Sequence, residues 1–226
     1  MAVYFVEGNI GTGKSTFLSL VEKNFPQFQV IYEPVDVWTS LSDSSGSNIL
    51  QYFYDDPKRY AYAFQSLAFI SRMEKISEID KTKRAIFIER SIWSDSNVFA
   101  KNCFMQGTLS DIEYKLYTRW FNWAEKLVKD KKSTHVYLKC SPEISFARTT
   151  FRKRKEESNI PLEYITQIHD RHEEWLGGSS NVGVSNVGVG NVGVGNVVTI
   201  DVSSEDYVKE EGAFKELFAK HFPLLV

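Results

Sequence analysis

Residues 6–16 read Val6-Glu7-Gly8-Asn9-Ile10-Gly11-Thr12-Gly13-Lys14-Ser15-Thr16. Gly8 and the run Gly13-Lys14-Ser15 fit the spacing G-x-x-x-x-G-K-[ST] of a phosphate-binding loop. Glycines let the backbone turn tightly and point several N–H groups at phosphate oxygens. Gly8, Asn9, Gly11, Thr12, Gly13, Lys14, Ser15 and Thr16 are therefore the candidate phosphate contacts. Lys14 brings a positive charge to the β- and γ-phosphates, and the Ser15 hydroxyl suits Mg²⁺. The flanks agree with the motif. Residues 2–6, Ala-Val-Tyr-Phe-Val, are a short apolar run that reads as a buried strand, and Phe17, Leu18, Val21 and Phe25 recur at helical spacing. Strand, glycine loop and helix N-terminus together make an anion site. A chance glycine-rich turn is the competing reading, and it accounts for neither flank.

The loop leaves the phosphate acceptor open: water, a protein, a nucleotide or a small metabolite. Composition narrows the class. The chain has 226 residues, 42% hydrophobic, with a net charge of −2. That predicts one globular domain over 1–226 with ample core and an appended lid. The charge balance gives no sign of a nucleic-acid surface. Two cysteines, Cys103 and Cys140, make a disulfide framework unexpected. No signal-like start and no bilayer-length apolar run are seen, so no membrane association is expected and the expected location is intracellular, by default the cytoplasm. His169 and His172 share a predicted helix, but no third ligand has metal-site spacing, and a solvated pair is expected.

Apolar runs alternate with helical patterns along the chain. Strands are predicted at 2–6, 29–32, 85–88, 135–138 and 197–200. Helices are predicted at 57–79, 111–129, 142–152 and 161–176. This alternation predicts an α/β fold, a parallel sheet of about five strands with helices on both faces. Ligands then sit at the carboxyl ends of the strands, so Lys14, Glu33, Glu89 and Arg90 converge on one cleft. Residues 180–196, SNVGVSNVGVGNVGVGN, break the pattern with an Asn-Val-Gly-Val unit. This uncharged, glycine-rich repeat reads as a flexible surface insertion spanning about 177–196, remote from the chemistry.

Four groups of residues bear on the acceptor. Glu33, at the end of the second strand, suits a general base for an acceptor hydroxyl, although a surface glutamate that merely ends a strand is the commoner case. Glu89-Arg90-Ser91 follows the third strand, where an acidic Mg²⁺ ligand and a cation steadying the phosphoryl group are expected. Arg148, Arg152 and Arg154 lie in a charge run over 148–164 that reads as a lid, the alternative being a solvated helix face. Phe64, Gln65, Ala68 and Arg72 lie on one predicted helix, with Gln65, Ala68 and Arg72 on one face. Gln65 offers a donor and an acceptor, as a nucleobase edge requires, whereas alone the helix would read as merely amphipathic.

Taken together, the segments EGNIGTGKST, YEPVDVW, NILQYFYDDPKRYAYAFQSLAFISRM, FIERSIWSDSNVFA, RTTFRKRKEESNIPLEY and HEEWL resemble the deoxynucleoside kinase family, on its deoxycytidine and deoxyguanosine side. The resemblance covers nearly the whole chain outside 177–196. It implies an ATP-dependent enzyme of nucleotide salvage that phosphorylates the 5′-hydroxyl of a deoxynucleoside, with ATP as donor and Mg²⁺ as cofactor. It implies Glu33 as base, Arg90 on the hydroxyl and phosphoryl group, and Ser15 and Glu89 on Mg²⁺. Tyr54 and Glu157 would hold the sugar 3′-hydroxyl. Gln65 would bind the base among Trp38, Leu50, Phe53, Phe64 and Phe99. Arg148, Arg152 and Arg154 would close over ATP, and Glu205, Asp206 and Tyr207 would form the adenine loop, with its register offset by an extra serine. A homodimer is also implied; residues 111–129 carry more apolar side chains than one face needs.

Two other activities compete with this reading. A nucleoside monophosphate kinase shares the fold class, but Glu33 would repel its acceptor's phosphate. A nucleotide-dependent switch of the GTPase kind needs an Asn-Lys-x-Asp motif, which is absent. Arg72 and Asp95 bear on base choice. A buried Asp needs a cationic partner, and the pair would crowd the thymine methyl group, favouring deoxycytidine and purine deoxynucleosides over thymidine.

Overall fold

The computed structural model describes residues 1–128, 133–179, 196–210 and 212–226. Five strands form one parallel sheet: β1 (Ala2–Glu7), β2 (Gln29–Ile31), β3 (Ala85–Glu89), β4 (Ser133–Lys139) and β5 (Asn196–Asp201), in the order β2-β3-β1-β4-β5. Strand β1 pairs with β3 on one side and β4 on the other. The chain leaves β1 toward one half of the sheet and later returns to build the other half. The loop after β1 therefore lies at the topological switch point, where open parallel sheets bind ligands.

Alternate residues of each strand point to opposite faces, and each face is covered. Val3, Phe5, Ile86, Ile88 and Tyr137 join a core with α4 (Pro57–Ser77), α7 (Asp111–Val128) and α9 (Leu162–Leu176). Val6, Phe87, Val136 and Leu138 join a second core with α1 (Lys14–Asn24) and α11 (Ala213–His221). Phe87 stacks on Tyr4 at 4.7 Å and lies 5.7 Å from both Phe218 and Phe222. Truncation of a Phe packed this way costs ~3–5 kcal/mol.

The predicted strands and long helices are present, with bounds shifted by a few residues. Strand β4 begins at Ser133 and Asn196 pairs with Thr134, so Asn196 belongs to the sheet rather than to the insertion. Gly177–Ser179 continues α9 as a 3₁₀ turn. The repeat itself, 180–195, lies outside the described residues, as does position 129, the last of the predicted helix 111–129. The periodicity did not reveal α2 (Val35–Ser40), α3 (Ile49–Asp55), α5 (Ile92–Ser94), the π-helical turn Asp95–Ala100, α6 (Lys101–Met105) or α10 (Asp206–Lys209). Most are too short to show a helical period. Helix α8 (Pro142–Arg152) starts as read, with Ser141 accepting from the Ile144 amide. The His169/His172 expectation is corrected for His172. It is buried, with Nδ1 2.8 Å from the Ile168 carbonyl, and stacks on Tyr137, because it falls on the stripe Ile165, Ile168, His172, Trp175 that α9 turns inward.

Candidate active site

The phosphate loop sits where two backbones approach too closely for side chains. A Cβ at Gly8 would stand 2.6 Å from the Leu138 carbonyl oxygen, and one at Gly11 would stand 2.2 Å from that of Ser145. Both glycines also have positive φ. Helix α1 starts without a side-chain cap and without an acidic residue in its first turn. Its leading N–H groups and positive dipole end are left for an anion. Lys14 is buried in the loop, its Nζ donating to the Asn9 carbonyl at 2.8 Å. Burial and then Arg90 pull its pKa down to about 7, against the pull of Glu89 and Glu33. Ser15 Oγ donates to both carboxylate oxygens of Glu89, at 3.0 and 3.1 Å. This pair of hard oxygen donors fits Mg²⁺, which takes few protein ligands and fills its sphere with phosphate and water. The described residues hold no cluster of three metal-ligating side chains that would suit a self-sufficient metal site.

Next to this loop, Glu33 Oε1 accepts from Arg72 Nη1 at 3.1 Å and forms an ion pair with Arg90, whose Nε also lies 3.1 Å away. Arg72 closes a bidentate pair with Asp95, at 2.7 and 2.8 Å. Arg90 Nη1 donates to the Gly8 carbonyl at 2.8 Å, and its guanidinium lies 4.6 Å from the centre of the Phe99 ring. Burial would raise the Glu33 carboxyl, but Arg90, Arg72 and Lys14 outweigh it and hold the group well below the usual range. Asp95 moves the other way: burial raises it to about 6 in spite of Arg72. Glu33 is thus ionised at neutral pH. The sequence suggested Arg72 as the partner of Asp95. That Arg72 also grips Glu33 had no local signal, since 39 residues separate them.

A cleft of ≈ 670 Å³ joins these groups. Its inner end is apolar, lined by Trp38, Leu50, Phe53, Phe64, Ala68 and Phe99, with Tyr54, Gln65, Arg72 and Asp95 supplying polar atoms. Phe53 stacks on Phe64 at 4.7 Å, and Trp38 meets Phe64 edge-on at 5.4 Å. Trp38 Nε1 donates to Ser71 Oγ at 2.9 Å, fixing the indole. Gln65 Nε2 lies 3.9 Å from Cys103 Sγ, and its Oε1 has no hydrogen-bond partner among the described residues. A buried amide oxygen of this kind is available to a donor that enters the cleft.

The outer end is cationic. Arg148, Arg152, Arg154, Glu157, Glu205 and Tyr207 line it. Helix α8 ends at Arg152, and Lys153 after it is in left-handed conformation. Arg152 and Arg154 both pair with Glu157, the latter at 2.7 Å. Arg148 is committed to the loop before α10. Its Nη1 donates to the Val202 carbonyl at 2.9 Å and its Nε lies 3.3 Å from Glu205. Asn48 caps α3 and donates to Glu156 at 2.8 Å, tying the helix of Leu50, Phe53 and Tyr54 to the 148–164 segment.

Most of the residues singled out from sequence therefore line one cavity. Gly8, Asn9 and Asp206 do not. Gly8 and Asn9 act through their backbone: their carbonyls receive Arg90 and Lys14, and Asn9 Nδ2 holds the Ile165 carbonyl at 2.8 Å. Asp206 is exposed, and the first turn of α10 turns Tyr207 rather than Asp206 to the cleft. Ile10, Tyr32, Val35, Phe151, Tyr164 and Val208 also line the cavity and were not foreseen. All but Val208 lie within the segments EGNIGTGKST, YEPVDVW and RTTFRKRKEESNIPLEY, so position in those motifs is the one signal the sequence offers.

The sequence model of the family described as deoxynucleoside kinase matches residues 4–224. Among curated proteins, a "Probable deoxycytidine kinase" of fowlpox virus is 37% identical over 76% of this chain and 70% of its own. Deoxycytidine kinase 2 of Gallus gallus is 36% identical over 76% and 72%. The mitochondrial deoxyguanosine kinase of Xenopus laevis is 34% identical over 76% and 71%. With a phosphate loop, a carboxylate beside it and an apolar pocket beyond, the chain belongs to the deoxynucleoside kinase family and is an enzyme that phosphorylates the 5′-hydroxyl of a deoxynucleoside at the expense of ATP.

Proposed function

We propose that this enzyme acts on deoxycytidine and purine deoxynucleosides in preference to thymidine, with Glu33 as its base. The observation that carries the reading is Glu33 Oε1, held 3.1 Å from both Arg72 and Arg90 between the phosphate loop and the apolar pocket. A deoxynucleoside in that pocket presents its 5′-hydroxyl to Glu33 and its base to Gln65, between Trp38, Phe53, Phe64 and Phe99. Tyr54 and Glu157 take the 3′-hydroxyl. The Arg72–Asp95 pair meets the edge of the base, where its bulk opposes a thymine methyl and Asp95 accepts from an exocyclic amine.

On the donor side, Gly11, Thr12, Gly13 and Thr16 present backbone N–H groups, and Lys14 places its charge on the β- and γ-phosphates. Ser15 and Glu89 would hold Mg²⁺, which would supply positive charge to stabilise the reacting phosphates. The segment 148–164 forms the lid of a single domain, and Arg152 and Arg154 leave Glu157 for the triphosphate. Glu205 and Tyr207 border the adenine.

Glu33 is a weak base while two guanidiniums and Lys14 face it. A bound triphosphate supplies negative charge to Arg90 and Lys14, which raises the Glu33 carboxyl toward its ordinary value. Phosphoryl transfer through a loose transition state needs the hydroxyl proton removed late, so a modest base suffices. Arg90 meanwhile spans Glu33 and the phosphoryl path.

A homodimer completes the proposal. Ile112, Leu116, Trp120, Trp123 and Leu127 form one exposed face of α7, opposite Tyr117, Phe121 and Ala124, which enter the core. An apolar stripe of this kind suits the self-complementary contact of a two-fold dimer. The substrate reading is tested by kcat/KM for a panel of deoxynucleosides with ATP. Deoxycytidine or a purine deoxynucleoside should lead, and thymidine in first place would refute the reading.

A further inference from the structure

Glu7 is the last residue of β1 and fully buried, yet none of its atoms lines the cleft. A carboxylate so deep requires partners. Its Oε1 accepts from Ser91 Oγ at 2.5 Å and lies 3.3 Å from His135 Nδ1 on β4. Burial raises the Glu7 carboxyl, but His135, Ser91 and the charge of Arg90 bring it below its ordinary value, so the group is ionised.

Ser91 adjoins the residue on which the phosphoryl path depends. Arg90 has φ 63°, one of two non-glycine residues with positive φ among those described. L-residues disfavour this conformation, and it persists only where the surroundings over-determine it. Here both sides of Arg90 are tied to β1. The Arg90 amide donates to the Val6 carbonyl at 2.9 Å, and the Ser91 hydroxyl donates to Glu7. The same hydroxyl accepts from the Ser94 amide at 3.3 Å and caps α5. The bond to Glu7 therefore fixes which way the hydroxyl proton points, and the cap takes the lone pair that remains. The turn so held delivers Arg90 to three contacts at once: the Gly8 carbonyl, Glu33 and the face of Phe99.

We infer that Glu7, acting through Ser91, is a positioning residue that holds Arg90 in the left-handed turn aiming its guanidinium across the cleft at Glu33. This rests on the reading of Arg90 given under the proposed function. It makes the strand that supplies the phosphate loop also the brace for the opposing cation, so donor loop and acceptor base share one anchor.

The test is a double-mutant cycle on kcat at saturating ATP and deoxycytidine, using Glu7→Gln and Ser91→Ala in the parent and in an Arg90→Ala background. Glu7→Gln keeps the shape of the side chain and weakens the acceptor; Ser91→Ala removes the link. A hydrogen bond to a charged group is strong enough that Ser91→Ala should lower kcat about ten-fold, and Glu7→Gln somewhat less. In the Arg90→Ala background both changes should cost less than about two-fold, because there is no guanidinium left to aim. A loss of folded enzyme would appear equally in both backgrounds. Equal losses in the two backgrounds, or unchanged kcat in both single variants, overturn the inference. If Arg90→Ala alone leaves kcat intact, the reading of Arg90 falls and this inference with it; a damaged Arg90→Ala enzyme with additive losses sinks only the inference.

Discussion

Replacing Glu33 with glutamine changes charge with little change in shape. In Glu33→Gln the carbonyl oxygen can still accept from Arg72 Nη1 and remain beside Arg90 Nε, both 3.1 Å away in the parent. What disappears is the group that takes the 5′-hydroxyl proton. Positioned general bases contribute ~10²–10⁴ in rate, so kcat should fall by about that factor. Deoxycytidine affinity should change little, because Gln65 and the aromatic walls that receive the base remain. Stability should fall as well. Arg72 keeps its bidentate partner Asp95, but Arg90 loses its direct carboxylate contact. The Glu33 side chain is 15% exposed, so water reaches this end of the guanidinium and the cost stays near that of one charged hydrogen bond, about 2 kcal/mol. For a chain of this size that lowers Tm by roughly 4–8 °C. The assay is ADP release coupled to an indicator reaction, with nucleoside binding by calorimetry on the same preparation. A folded Glu33→Gln enzyme whose kcat stays within about ten-fold of the parent would refute the assignment of the base.

Three further outcomes follow from the same site. Arg72→Met combined with Asp95→Ala should raise thymidine over deoxycytidine in kcat/KM by about 10- to 200-fold. Because Arg72 also grips Glu33, both substrates should lose turnover, so the ratio is the measurement, and no relative gain contradicts the pocket assignment. Lys14, pulled down to about 7 in the free enzyme, should be raised by a bound triphosphate. Above that pH the free amine loses its proton, so ATP binding should take up protons, at most about one per site, read from calorimetry in buffers of different ionisation enthalpy. Lys14→Met should abolish the uptake, and a parent enzyme that takes up none refutes the picture. Finally, the protein should scatter light as a dimer at micromolar concentration and Trp120→Glu as a monomer; a monomeric parent removes the dimer proposal.

The parts of this fold that the sequence revealed are those whose signal is local. Gly8 through Ser15 announce their turn because the chain there must avoid Leu138 and Ser145 and still present N–H groups. The strands show as short apolar runs because both faces of the sheet are covered. Gln65, Ala68 and Arg72 were assigned to one face by helical spacing alone, and all three line the cleft. The parts that did not show depend on pairings far apart in the chain. Glu7 reads as one polar residue at a strand end, and nothing nearby reveals a hydroxyl 84 residues away. His135 sits in an apolar run and gave no sign of facing a carboxylate. His172 reads as a surface residue by its polarity, although its spacing from Ile165 and Ile168 puts it on the buried stripe of α9. Helices α2, α3 and α5 span 6, 7 and 3 residues, too few turns to carry a pattern.

The most direct test of the central claim is to follow ATP with and without an acceptor and identify the product. With deoxycytidine present, ADP and deoxynucleoside 5′-monophosphate should form in equal amounts, and without a nucleoside ADP formation should be negligible. Equal ADP release in the absence of acceptor, or turnover with a deoxynucleoside monophosphate and none with the nucleoside, would contradict the account.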